Sequence, residues 1–296
     1  MNPRVSVIVA TRDYGRFLAE TLQSVFDQTF ADWELIVVDD GSRDHTPEVV
    51  ASVSGDPRVR IIRTDGLGQS RAKNLGIGLA RAPLLAFLDG DDVWLPTKLE
   101  KQVRRFDADP ATGVVYSRRH LIDEAGLSLP AREIPFHRGR IFNEILLTNF
   151  VTFSSVVVRR EVFTEVGTFD ERLDLAIDYD LWLRVAPHWE FDYVDEPLVK
   201  YRTGHGNLSK RIGERLTSVL SIMRRCLGRR GMTPPAAIER EAWGSTCRTM
   251  GYVERASGSL SALYWYIRAA WHDGRWPVTL HSLLAVIVKR LPYRDK

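Results

Sequence analysis

The sequence predicts an α/β fold on a mostly parallel sheet, followed by a helical region, from three observations. Apolar, β-branched runs alternate with segments of helical periodicity over residues 5–88. Three of those runs end in polar or acidic clusters: Thr11-Arg12-Asp13-Tyr14, Asp39-Asp40-Gly41-Ser42 and Asp89-Gly90-Asp91-Asp92. The charge then changes sign along the chain. Residues 1–202 carry 25 Lys/Arg against 32 Asp/Glu, whereas residues 203–296 carry 16 against 6. Two domains are expected, 1–209 and 210–296.

Val5–Ala10 is a short continuous apolar run and reads as a central strand. Phe17, Leu18, Leu22, Val25 and Phe26 then recur at helical spacing. Trp33–Val38 is a second buried strand, closed by the turn signal Asp39-Asp40-Gly41-Ser42. Thr46-Pro47-Glu48 opens a helix with Pro at an early position. Val59–Ile62 is a third strand, Ser70–Ala82 a third helix and Leu84–Leu88 a fourth strand. Helices are expected at Trp94–Phe106, Ile141–Leu147 and Glu161–Val166, with short strands at Val114–Tyr116, Val156–Val158, Phe191–Val194 and Leu198–Arg202. Leu121–Arg138 reads as loop. Ala176–Arg184 carries Asp178 and Asp180 at the start of a helix, where negative charge suits the dipole. Thr203–Ser209 is a polar loop. Four helices follow, over Arg211–Arg230, Ile238–Ala256, Ser259–Trp271 and Pro277–Leu291.

Strand–helix alternation calls for a parallel sheet covered on both faces, and such sheets bind ligands beyond the carboxyl ends of their strands. Thr11, Asp39-Asp40 and Asp89-Gly90-Asp91-Asp92 should therefore converge on one edge. Carboxylates so close repel, so a positive group is expected among them. A divalent cation, Mg²⁺ or Mn²⁺, answers that need through oxygen ligands shared with substrate phosphates. The competing reading is an acidic helix cap, and Asp92 suits that role at the start of the expected Trp94 helix.

A Gly-x-Gly-x-x-Gly after the first strand is absent, as is a Walker-type loop, which weighs against dinucleotide binding and P-loop chemistry. Hydrophobic residues at 44% and charged residues at 27% are ordinary for a globular protein. Cys226 and Cys247 show no metal spacing and are expected to be free thiols. Met1-Asn2-Pro3-Arg4 leads directly into a strand rather than a signal peptide, and the apolar run near Val278–Val288 is too short to span a bilayer. The expectation is a cytoplasmic protein, at most peripheral at the inner face of the cell membrane. The basic helices are read either as a solvated cap or as a contact to anionic lipid through Arg side chains with Trp265, Trp271 and Trp276. No nucleic-acid module accompanies the basic residues, so no nucleic-acid partner is expected.

The ordered motifs carry a family pattern. Val5–Tyr14, Val37–Ser42, Ala72-Lys73-Asn74, Phe87–Asp92, Gly167–Glu171 and Asp178–Arg184 together resemble a family 2 glycosyltransferase of the GT-A fold, over about residues 3–209. That resemblance implies inverting transfer of a sugar from a nucleotide diphosphate, uridine by analogy, to an acceptor hydroxyl. It implies a glycan or lipid-linked acceptor, in cell-envelope polysaccharide or glycolipid assembly. Carried over by position, Thr11, Asp13 and one or both of Asp39 and Asp40 would hold base and ribose. Lys73 would face the diphosphate, and Asp89-Gly90-Asp91 would be the DxD motif, with Asp91 as metal ligand and Asp89 near ribose or metal. His205 matches a His that reaches metal or diphosphate in some members, and Asp178 matches the catalytic base, with Asp180 as its competitor for that role. The chain departs from the pattern at Arg12-Asp13, where Asn is usual second. It also departs at Lys73, where Arg is frequent, and at Ile177, where an acid commonly precedes the base. A non-catalytic sugar-nucleotide-binding protein on the same fold is the alternative.

Overall fold

The computed structural model describes residues 2–131, 134–205, 211–228, 232–256 and 259–288. Gly206–Ser209 of the expected loop, and Arg229, Arg230 and Lys289–Leu291 of the expected helices, lie outside the described residues. The chain divides into two compact units: Met1–Ile141 with Asn149–Asn207, and Phe142–Thr148 with Leu208–Lys296.

In the first unit β1 (Val5–Thr11), α1 (Gly15–Phe26), β2 (Trp33–Asp39), α2 (Thr46–Ala51), β3 (Val59–Arg63), α3 (Gln69–Leu79) and β4 (Leu84–Phe87) alternate as the apolar periodicity requires. Their strands lie side by side, β3-β2-β1-β4, all parallel. β2 is buried at every position, as expected of a strand covered on both faces. Burial extends even to Glu34. Its carboxylate accepts hydrogen bonds from Ser6 Oγ at 2.6 Å and from the Arg81 N–H and Nε–H at 2.7 and 2.9 Å. Burial alone would raise this carboxyl's pKa; the Ser6 and Arg81 hydrogen bonds outweigh it and hold the group below its ordinary value.

Beyond β4 the sheet is mixed. The remaining elements are β5 (Val93–Trp94), α4 (Lys98–Ala108), β6 (Thr112–Ile122), β7 (Ser128–Leu129), β8 (Val157–Arg159), α6 (Arg160–Val166), α7 (Ile177–Val185) and β9 (Glu190–Arg202). β8 runs antiparallel to both β4 and β6, β6 runs parallel to β9, and β5 pairs antiparallel with β9 at the edge. Two expectations change here. Phe191–Val194 and Leu198–Arg202 form one strand rather than two, because a register shift opposite Ser117–Arg118 absorbs Asp195 and Glu196 and a second, opposite Arg118–Arg119, absorbs Leu198, leaving Pro197 between them beside Arg118. A bulge is where a strand tolerates proline. The expected Trp94 helix begins only at Lys98: Val93 and Trp94 pair with β9, and Pro96 disfavours helix at Leu95. Asp92 is therefore not a helix cap.

The second unit comprises α5 (Phe142–Leu147), α8 (Ile212–Leu227), α9 (Ala236–Ala256), α10 (Ser261–Asp273) and α11 (Trp276–Val288). α5 precedes the 209/210 division suggested by the sequence, yet it groups with these helices and packs on α9. Leu216, Leu220, Cys247, Met250 and Ala269 form one apolar cluster, against which Trp243, Val253 and Trp265 pack. Cys226 and Cys247 are both buried free thiols. Among the described residues no helix is long and apolar enough to cross a membrane.

α3 lies against β1 at Gly76, where an added Cβ would stand 2.5 Å from Ile8 Cγ2. Ile8 is itself buried and cannot yield freely. Gly76→Val should destabilise the first unit by about 2–3 kcal/mol through overpacking, seen as a lower urea midpoint. An unchanged midpoint would mean that α3 is not held this closely.

Candidate active site

The sheet brings three strand ends to one edge, and short hydrogen bonds stitch them together. Thr11 lies beside Asp39 in the β1–β2 register, and the Asp40 N–H donates to the Thr11 carbonyl at 2.9 Å. Asp13 adopts a left-handed φ of 58°, a conformation Asp tolerates better than most residues. This turn lets the Asp13 N–H donate to Ser42 Oγ at 3.0 Å while its carboxylate accepts from the Arg43 N–H at 2.7 Å. The N–H groups of Tyr14 and Gly15 donate to Thr46 Oγ1 and Asp44 Oδ2 at 3.1 and 2.9 Å.

Asp39 and Asp40 divide the next contacts. Asp39 accepts from the Ser42 N–H at 2.9 Å and pairs with Arg63 at 2.7 Å. Asp40 accepts from Thr64 Oγ1, the Leu67 N–H and the Gly68 N–H at 2.6, 2.6 and 2.9 Å. Its carboxylate thus shapes the loop that delivers α3. Burial would raise the Asp40 pKa, but these three donors, with Arg12 nearby, hold the carboxyl below its ordinary value.

The crowded carboxylates at the end of β4 each have a distinct counterpart. Lys73 of α3 is buried and pairs with Asp89 at 3.1 Å, its ammonium also lying 4.8 Å from the Phe153 ring. Asp91 Oδ2 lies 2.9 Å from His205 Nε2, and the two side chains are only 9% and 5% exposed. Burial, reinforced by the Asp89 charge, raises the Asp91 pKa, and His205 opposes the rise. Asp92 is the most enclosed. Burial first, then the charges of Asp91 and Asp89, push its pKa well above the ordinary value, while its Oδ1 accepts the Arg202 N–H at 2.8 Å. Gly90 is required by close approach, because a Cβ there would lie 2.6 Å from Thr11 Oγ1. That hydroxyl is buried and has no hydrogen-bond partner among the described residues.

His205, on a loop where a solvated side chain would be ordinary, is instead held between the rings of Tyr14 and Phe17, at centroid distances of 5.7 and 4.6 Å. A cavity of about 350 Å³ opens beside it, lined by Arg12, Asp13, Tyr14, Arg16, Phe17 and His205. Burial, together with Asp91, Asp89 and Asp92, raises the Tyr14 hydroxyl well above its usual pKa, so it stays protonated.

Asp178 sits in the first turn of α7, whose start at Ala176 is a left-handed residue with φ 58°. Its Oδ2 accepts from Asn149 Nδ2 at 2.8 Å. Ala176, rather than Asp178 or Asp180, occupies the N-cap position. Asp180 instead pairs with Arg184 at 3.0 Å, and Arg184 donates on to the carbonyls of Val166, Gly167 and Thr168. α3 positions the segment ahead of α7: Asn74 exchanges two hydrogen bonds of 2.9 Å with the Phe169 backbone, and Ser70 Oγ donates to the Leu173 carbonyl at 2.9 Å. One helix therefore carries Lys73 to Asp89 and anchors the approach to Asp178.

Sequence reasoning passed over Arg202 as a site residue. It is 2% exposed and donates from Nε to the Asp91 carbonyl at 2.9 Å and from its terminal nitrogens to Glu20 and to the Asp123 and Glu124 carbonyls. Its place in Tyr201-Arg202-x-x-His205 was the available signal. Asn149 and Ser154, whose Oγ accepts the Asp89 N–H at 3.1 Å, had none.

The family model of glycosyl transferase family 2 matches residues 6–167. The chain belongs to glycosyl transferase family 2. It is 31% identical over 218 residues to an uncharacterized glycosyltransferase of Rickettsia felis, covering 71% of this chain and spanning 36% of that relative's length. Two solved structures share the fold. Staphylococcus aureus TarS 1–349 in complex with UDP-GlcNAc has TM-score 0.63 and 16% identity, covering 92% of this chain and 88% of that one. Mannosyltransferase PcManGT of Pyrobaculum calidifontis, in complex with GDP-Man and Mn²⁺, has TM-score 0.62 and 19% identity, covering 100% and 89%. The mixed sheet of the first unit is thus a GT-A fold.

Asp40→Ala would leave the Leu67 and Gly68 N–H groups unpaired, and should lower stability by about 2–3 kcal/mol. Because the folded pKa of Asp40 is depressed, its contribution is complete above the ordinary carboxylate pKa of about 4 and drains away as pH falls through the folded value. Melting curves of wild type and variant should therefore converge on acidification, and a gap that persists into strong acid would reject this role.

Proposed function

We propose that this chain transfers a sugar, with inversion, from a nucleotide-diphosphate donor to an acceptor hydroxyl. The first unit carries the chemistry. The observation behind this reading is the paired geometry at the end of β4: Lys73 against Asp89, and His205 Nε2 2.9 Å from Asp91 Oδ2, in a family whose members move sugars. Uridine is the proposed base, in keeping with the UDP-GlcNAc held by TarS. Thr11, Asp13, Asp39 and Asp40 would face base and ribose: the first through its unpartnered hydroxyl, Asp40 chiefly by shaping the 64–68 loop.

The residues fit a divalent cation. Two adjacent ligand atoms of an octahedral Mg²⁺ or Mn²⁺ lie about 3 Å apart when each is about 2.1 Å from the ion. Asp91 Oδ2 and His205 Nε2 have that spacing. Among the described residues no three His, Cys, Asp or Glu side chains cluster to hold an ion, so donor oxygens and water would complete the shell, as is usual for Mg²⁺. When bound, the cation would supply Lewis-acid stabilisation of the departing diphosphate.

The chain's own residues do the rest. Lys73 adds a fixed positive charge where the leaving group gains negative charge. Asp178 takes the proton of the attacking hydroxyl, and Asn149 holds its carboxylate in place through Oδ2. Displacement from the face opposite the diphosphate inverts the anomeric centre and requires no enzyme nucleophile. A glycan or lipid-linked acceptor in envelope polysaccharide or glycolipid assembly suits this chemistry.

Asp178→Asn should lower kcat by about 100- to 10,000-fold while donor binding, followed by thermal shift with UDP-sugars and Mn²⁺, stays nearly unchanged. Turnover close to wild type would remove Asp178 from the role of base. EDTA should stop transfer and added Mn²⁺ or Mg²⁺ should restore it, whereas full activity in chelated protein would dismiss the cation.

A further inference from the structure

α11 gives part of its buried side to hydroxyls. Its hydroxyl residues Thr279 and Ser282 are 1% and 3% exposed, whereas Trp276 and Leu280 are 47% and 55% exposed. Thr279 Oγ1 is buried and lacks a hydrogen-bond partner among the described residues. Val286 is buried and Leu283 packs beside it, so the apolar residues of α11 are divided between its two sides. Neighbouring α10 also leaves apolar residues exposed. Leu260, just before the helix, with Tyr264, Ile267 and Trp271, falls on one face at spacings of four, three and four, and these residues are 56%, 55%, 49% and 76% exposed. The opposite face of α10 is fully used: Ala262, Tyr266 and Val286 of α11 form one buried cluster, and Ala269 belongs to another. Among the described residues, Leu260, Tyr264, Ile267 and Trp271 on one side and Trp276 and Leu280 on the other are thus left in solvent.

The charge carried by this stretch itself is nearly all of one sign, although Glu241 of α9 pairs with Arg275 at 3.1 Å. Between Ser259 and Val288 the one acidic residue is Asp273, whose side chain is 4% exposed and ion-paired with Arg248. α11 contains no charged residue, and the sequence after it reads Lys289-Arg290-Leu291-Pro292-Tyr293-Arg294-Asp295-Lys296. Exposed Trp and Tyr, an uncharged helix too short to cross a bilayer, and an adjoining basic stretch are the chemistry of a helix lying in the plane of an anionic membrane surface.

We infer that the α10–α11 hairpin seats on an anionic lipid surface, with Trp271, Trp276 and Leu280 entering the headgroup boundary. The inference is independent of the transfer chemistry. Trp265, which the sequence grouped with the lipid-facing tryptophans, is not part of this surface, because it packs into the helical cluster.

The test uses the full chain in flotation with vesicles of phosphatidylcholine, alone or mixed with phosphatidylglycerol. Binding should require phosphatidylglycerol and weaken with salt. Trp271→Glu with Leu280→Glu should weaken it about tenfold or more, because both side chains would otherwise enter apolar surroundings. Lys289→Glu with Arg290→Glu should remove the salt dependence. UDP-induced thermal stabilisation, preserved in each variant, would show an intact first unit. Equal binding to neutral vesicles, or unweakened binding by the Trp271/Leu280 variant, overturns the proposal. So does a lipid-free dimer that the same variant splits, since a second copy would then cover the face.

Discussion

Negative charge crowded at the end of one buried strand is the constraint on which the first unit depends. Asp89, Asp91 and Asp92 follow β4 within four residues, and two of them are nearly sealed from water. Ionised carboxylates so placed are costly unless positive charge and hydrogen-bond donors meet them. The fold supplies these from distant parts of the chain: Lys73 from α3, His205 from the loop after β9, and Arg202 from the end of β9. None of these contacts is local in sequence, so the cluster is met by its partners only in the folded sheet. This explains why β9 runs as a single long strand across a bulge. Its far end has to deliver Arg202 and His205 to the end of β4.

The same logic binds the other strand ends. Asp40 closes the loop before α3, and Asp13 and Ser42 join the first two strand ends. α3 then serves two masters, with Lys73 on Asp89 and Asn74 on the Phe169 backbone that leads to Asp178. A site assembled from rigid element ends in this way keeps its charged groups positioned before any donor arrives, which is the condition under which fixed charges stabilise a developing one.

The two units differ in how they treat apolar surface. The first encloses its central strands β1, β2 and β4 almost completely. The helical unit buries hydroxyls on α11 and leaves Trp271 and Trp276 outside, an exposure of apolar surface that costs free energy in water.

Much was legible from sequence alone. The alternation through β4 follows from apolar periodicity, which is a local property, and so does the set of acidic clusters at the strand ends. The motif order indicated the family, and Cys226 and Cys247 were readable as free thiols. What tertiary structure decided is everything that rests on contacts distant in the chain. It made Asp92 a buried acceptor of the Arg202 N–H rather than a cap, because Val93 and Trp94 are drawn into pairing with β9. It grouped α5 with helices beginning some seventy residues later in the numbering, 212–288. It buried a loop histidine between Tyr14 and Phe17 and turned Trp265 inward while leaving Trp271 outside. Residue type and spacing determine which groups a chain can offer; which of them are enclosed, and by what, depends on partners that only the folded sheet and helices bring together.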